Sequence, residues 1–154
     1  MSNPQNETCF NHFYLRYYNG NHNQYGKEYI KFEIFDNGEL KYCNQSRYRN
    51  ETEIIKKLHL TRVVMKEIQD IISQSHILIQ TDAHWPNKIN GSRQELEIEM
   101  NDIHIFFVTS KFGTLNEIRQ SEDPQGLLIF YNFINDLICL LTTLTKSHSN
   151  IHSY

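Results

Sequence analysis

A chain of 154 residues, 39% of them hydrophobic, is long enough for one domain with a true core and too short for two. Its formal charge of −3, from 15 Lys and Arg against 18 Asp and Glu, argues against the basic face that an electrostatic grip on nucleic acid requires. Three widely spaced cysteines, Cys9, Cys43 and Cys139, form no CxxC pair and suit reduced thiols of a cytosolic or nuclear protein better than a disulfide framework.

The opening stretch, MSNPQNETCFNH, has neither a basic n-region nor an apolar h-region, so no secretory signal is expected. Residues 1–12 read as a disordered polar extension. Sequons at Asn6, Asn44, Asn50 and Asn90 are what chance provides in an Asn-rich chain. From Phe13, FYLRYYNG is aromatic and strand-like, and Asn19-Gly20 reads as its end. YIKFEIFDNGELKY is a hairpin, with Ile30, Phe32 and Ile34 alternating with Lys31 and Glu33 and a turn at Asp36-Asn37-Gly38. The segment IIKKLHL, residues 54–60, fits either a strand or the lead-in to a helix. Thr61 then caps a helix in which Val64, Ile68, Ile71 and Ile72 keep helical spacing, with its end near Ser75. Residues 79–92, with Trp85-Pro86 and Asn90-Gly91, read as a loop. QELEIEMNDIHIFFV gives a second hairpin that turns at Asn101-Asp102. Its Leu96, Ile98 and Met100 oppose Glu95, Glu97 and Glu99, the alternation of a sheet packed on one face and solvated on the other. A polar loop over 111–125 has room for a helical turn around Leu115–Arg119, and Asp123 caps a long final helix with Pro124 at its first position. The expected class is α+β, with five or six antiparallel strands and two main helices on one face.

That final helix carries more apolar surface than one packed face needs. At about 100° per residue, the apolar side chains of Gly126 to Leu144 spread over an arc of roughly 200°. A membrane anchor is disfavoured by Asp136 near the middle, at about 3 kcal/mol on the insertion scale, with Asn132 and Asn135 beside it. Two readings stay open on the residues alone: burial between the sheet and the helix at 61–75, or a surface for a partner.

Chemistry-bearing motifs are nearly absent. Eight histidines include no HExxH and no zinc spacing, and Asp82 with His84 lacks a third metal ligand. There is no GxSxG and no P-loop. Phe13, Tyr14, Tyr17 and Tyr18 suggest base stacking, but no RNP1 pattern accompanies them and the sheet carries glutamates, so packing is favoured. No enzyme, cofactor or metal site is expected.

Several blocks do match a known pattern. FYLRYYNG, SRYRNETEIIKK, Trp85-Pro86, GSRQELEIEM, TSKFG and QSEDPQGLLIFYNFINDLICLL resemble the Mago nashi family, without gaps from Phe13 onward. The resemblance implies a flat six-stranded antiparallel sheet with two long helices and a short one packed on one face, which makes 54–60 a strand. It divides the chain into an extension at 1–12, a Mago nashi domain at 13–147 and a tail at 148–154. It also implies a non-catalytic scaffold subunit of the exon junction complex, nuclear and shuttling to the cytoplasm with mRNA. There the family forms an obligate heterodimer with an RRM protein of the Tsunagi type, covering the RRM sheet with its helices. The pair locks a DEAD-box RNA helicase on spliced mRNA, and a PYM-type factor takes the complex apart. RNA contact is therefore expected only through the helicase.

Leu144 matches a leucine the family places in the RRM interface. Leu140, Leu137 and Phe133 share its arc, and Met65, Ile68 and Ile72 are the candidates from the first helix. Two stretches depart from the family: KSHSNIHSY is more polar than the usual tail, and Asn23-Gln24 replaces a more basic loop. A protein-binding adaptor or self-associating module without a splicing role is the alternative.

Overall fold

The computed structural model describes residues 12–23, 26–46, 53–87, 92–112 and 114–152, with side chains of the last helix described as far as Lys146. The expected disorder of 1–12 lies outside these residues except for His12, and so do Cys9 and the side chains of the 148–154 tail.

Strands β1 (Tyr14–Asn23), β2 (Gly26–Phe35), β3 (Glu39–Gln45) and β4 (Ile54–His59) are followed by helix α1 (Arg62–Ser75). Strands β5 (Ser92–Met100) and β6 (Ile103–Thr109), a short helix α2 (Leu115–Arg119) and the long α3 (Pro124–His152) complete the chain. All neighbouring strands are antiparallel, in the order β4-β3-β2-β1-β5-β6, so this is an α+β fold on a flat six-stranded sheet. Residues 54–60 are resolved in favour of a strand: Leu58 pairs with Leu40 and Ile55 with Cys43.

Turn chemistry sets the hairpins. Asn101 and Asp102 both have positive φ, at 55° and 62°, as a two-residue turn with the twist of its flanking strands demands. At the β2–β3 corner the Gly38 N–H donates to Phe35 O, and a φ of +91° makes glycine the fitting residue there. Asn19-Gly20, by contrast, does not end a strand. Gly20 stays in extended register, paired with Tyr29 on one side and Arg93 on the other, and β1 runs on to Asn23. Central pairing on both edges outweighs the local turn preference of the dipeptide.

Side-chain alternation then builds the core. Leu15, Tyr17, Phe32, Ile34, Leu40, Leu96 and Ile98 are buried on one sheet face. Against them lie Met65, Ile68 and Ile72 of α1 and Leu127, Phe130, Phe133, Ile134, Leu137 and Leu141 of α3, and the two helices also pack on each other. Thr61 caps α1 by accepting from Val64 N–H, and His76, at φ 64°, ends it. Asp123 does two tasks at the start of α3: Oδ1 accepts from Gly126 N–H at 3.0 Å, while Oδ2 accepts from Trp85 Nε1 at 3.0 Å. Trp85 thus lies in the core rather than in an open loop, edge-on to Phe107 and tilted against Phe130, with ring centroids 4.9 and 5.1 Å away.

Candidate partner-binding surface on the helical layer

The 29 residues of α3 include a stretch, Pro124–Lys146, long and apolar enough by composition to cross a bilayer. Its burial accounts for that composition differently. Leu127, Phe130, Phe133, Ile134, Leu137 and Leu141 form a stripe of at most 5% exposure, spent within the protein's own core. Asn132, Asn135, Asp136, Cys139 and Thr143 take the opposite side and are exposed. Two apolar flanks border the stripe and are only half-buried: Ile129 and Leu140 on one side, Tyr131 and Ile138 on the other. Leu144 falls within the stripe's own arc, between Phe133 and Leu137, and is half-buried too.

Helix α1 repeats the arrangement. Met65, Ile68 and Ile72 are buried at 0–1% exposure, whereas Val64 and Ile71, seven residues apart on one side of that stripe, remain half-exposed. Val63 at the helix start is 80% exposed and Leu128 on α3 is 43% exposed. The layer therefore leaves apolar side chains partly open to solvent along the margins of the buried stripes, which is how an association surface differs from scattered surface leucines.

This placement divides the sequence candidates. Leu140 on the flank and Leu144 towards the C-terminal end of the stripe are half-buried and have surface to give. Phe133, Leu137, Met65, Ile68 and Ile72 are consumed by the fold and offer none, so their part is to hold the helices in place beneath the flank. The physical reason is that a helical wheel gives the width of an apolar arc and not which of its edges rests on the sheet. Val64, Ile71 and Ile129 are not among the interface candidates drawn from the sequence. Their signal was there, as the apolar positions one step outside each buried stripe.

The other face of the sheet has a different character. Arg16 donates to Glu95 at 2.9 Å, lies 3.8 Å from Glu97 and sits over the Phe106 ring. Burial works against the Arg16 charge, but the Glu95 hydrogen bond and the surrounding carboxylates hold its pKa above the ordinary value. Arg93–Glu95 and His104–Glu97 contacts, each 2.8 Å, and Lys31–Glu33 at 3.4 Å extend the network. Tyr14 donates to Glu33 at 2.8 Å, and burial with that bond raises its phenol pKa. Phe13 and Tyr17 are in the core, leaving Tyr14 and Tyr18 on a face where glutamates intervene. Such a surface suits water better than a phosphate backbone.

Polar residues noted for metal or base chemistry have structural partners. Asp82 Oδ2 accepts from Val108 N–H at 3.0 Å, closing part of the β6 edge, and His84 Nδ1 lies 3.4 Å from Glu122. Among the described residues, no group of three His, Cys, Asp or Glu is placed to hold a metal ion.

Comparison with known proteins agrees with this geometry. A family model described as Mago nashi protein matches residues 13–154. A protein mago nashi homolog from Arabidopsis thaliana is 45% identical over 139 residues, covering 90% of this chain and 93% of the plant protein.

Proposed function

The chain belongs to the Mago nashi family, and on that premise we propose that it is a non-catalytic scaffold subunit of the exon junction complex. Its binding partner is an RRM protein of the Tsunagi type, held in an obligate heterodimer. The observation that carries this reading is the set of half-exposed apolar side chains Ile129, Leu140 and Leu144 on α3, with Val64 and Ile71 on α1. A flat RRM sheet laid across the helical layer would remove that apolar area from water, at about 25 cal/mol for each Å² buried. The interface would then resemble a domain core cut in two, with Leu140 and Leu144 among its anchors.

The mechanism is differential binding. A scaffold that contacts only the closed, nucleotide-bound form of a DEAD-box helicase shifts its equilibrium towards that form and slows release of spliced mRNA. No group on this chain has to touch nucleotide or RNA. The acidic, internally paired outer face of the sheet supports an indirect association with RNA. A PYM-type factor would disassemble the complex, and the site of action would be the nucleus, with passage to the cytoplasm on mRNA.

The test is a pull-down from nuclear extract with tagged wild-type and Leu144→Arg protein, read by mass spectrometry. Recovery of a small RRM protein and a DEAD-box helicase by wild type, with both lost in the mutant, is the expected outcome. Neither appearing with wild type would withdraw the exon junction role in favour of a self-associating adaptor.

A further inference from the structure

The helices cover one face of the sheet and leave the other to solvent, where Ile55 and Phe106 stand 52% and 45% exposed near its two edges. Strand register sets the outward side chains of this face in rows that cross all six strands. The middle row, from β4 to β6, reads Lys57, Lys41, Glu33, Arg16, Glu97, Phe106. Its charges are ordered: cations lie towards β4, and the carboxylate nearest the other edge is on β5.

That order has a geometric property. A two-fold axis parallel to the strands, running between β1 and β2 and above the face, lays β1 of one copy over β2 of the other, β5 over β3 and β6 over β4, and keeps each row on itself. In the middle row Lys41 then meets Glu97, Glu33 meets Arg16 and Lys57 comes beside the Phe106 ring, each twice over. One row away Lys31 comes to Tyr18 and Ile55 to Val108, while Glu95 keeps Arg16 and Arg93 of its own copy. At the turn end the pattern breaks, because Glu39 faces Glu99.

Two of the four charges in the middle contacts are already fixed in place. Arg16 donates to Glu95, and Glu33 accepts from Tyr14 and lies 3.4 Å from Lys31, so ordering them in a contact costs little. Lys41 and Lys57 make no ion pair among the described residues and are left to seek a carboxylate. Area suffices as well. Six strands at about 4.8 Å and seven residues at about 3.4 Å give roughly 700 Å² of flat surface on each copy, and two such faces exceed the ~1,000 Å² that a specific contact needs. Glu33, Glu97 and Glu99 share the face with these lysines, which sets it against a phosphate backbone.

We infer that the open face of the sheet docks on a second copy of this chain, face to face about that axis, with Lys41–Glu97 and Arg16–Glu33 as its reciprocal ion pairs. The surface lies on the opposite side of the molecule from the helical layer. It goes beyond the heterodimer reading and does not rest on it.

Sedimentation velocity of the full-length chain over a hundredfold range of concentration tests the docking. Wild type is expected to pass from monomer to dimer as concentration rises, and Leu144→Arg, which alters only the helical layer, to do the same. Lys41→Glu and Glu97→Lys should each weaken the dimer at least tenfold, since each sets like charges together at both contacts. An equimolar mixture of those two variants should restore it, because every contact again joins opposite charges. Glu99→Lys should tighten the dimer severalfold by giving Glu39 a cation. Circular dichroism of each variant establishes that it is folded. The inference is overturned by a wild type that stays monomeric, by a mixture that associates no better than its components, or by association lost with Leu144→Arg. It is equally overturned if a dodecauridine RNA, titrated in parallel, binds in a Lys41-dependent manner.

Discussion

Leu137 and Leu140 sit three residues apart on one helix, yet they live in different environments. Leu137 is fully buried under the helical layer and Leu140 is half-exposed at its rim. The contrast extends along α3: Phe130, Phe133, Leu137 and Leu141 are buried in the core, whereas Ile129, Leu140 and Leu144 stay half-exposed. Side-chain chemistry is the same in both rows. Between Leu137 and Leu140 what differs is a rotation of some 60° about the helix axis, enough to move a leucine from the core to its half-exposed rim.

That comparison can be broken most directly by truncation in each row. Phe133→Ala should lower unfolding free energy by about 3–5 kcal/mol and Leu137→Ala by about 2–5, since both leave a cavity in a packed interior. Leu140→Ala should cost about 1 kcal/mol or less in the isolated chain. Urea denaturation of the three variants checks this, and equal losses at 137 and 140 would erase the distinction between rows. Asp123→Ala should come next, at about 2 kcal/mol, because it removes the α3 cap and strands the Trp85 indole N–H together. Thermal melts followed by tryptophan fluorescence would report both effects, as Trp85 is the single tryptophan.

The smallest effect concerns alkaline pH. Tyr17 has a folded-state pKa raised above its ordinary value of 10.0. Its folded form therefore holds a proton that the unfolded chain gives up, and the stability this confers is complete below pH 10 and declines as pH climbs above it. Tyr17→Phe should flatten the fall of melting temperature between about pH 10 and 11, while lowering stability at neutral pH through the lost Gln94 bond. A slope unchanged from wild type would remove Tyr17 from the alkaline transition.

Much of this architecture was legible in the residues. Thr61, Asp123-Pro124 and the Asp36-Asn37-Gly38 and Asn101-Asp102 turns are local signals whose physics acts within four residues, and each appears where the sequence places it. Glu95, Glu97 and Glu99 alternate with Leu96, Ile98 and Met100 because the pleat forces them to. Signals failed where distant chain decides. Asn19-Gly20 has the composition of a turn, but strands on both sides keep it extended. Trp85 in a Pro-containing loop gave no hint of reaching Phe107, Phe130 and Asp123. The apolar arc of α3 was correctly read as too wide for one face. Its partition was not readable, because Phe133 and Leu140 are chemically alike and only the position of the sheet tells them apart.

The decisive experiment is titration of the chain with a purified Tsunagi-type RRM protein, comparing wild type with Leu144→Arg, beside circular dichroism melts of both. The account predicts tight binding by wild type and at least a hundredfold loss in the mutant, with melting temperatures within a few degrees, because a charge buried unpaired at an interface costs several kcal/mol and one at a half-exposed rim does not. Unchanged affinity in a folded Leu144→Arg protein would contradict it and move the partner surface away from Leu144.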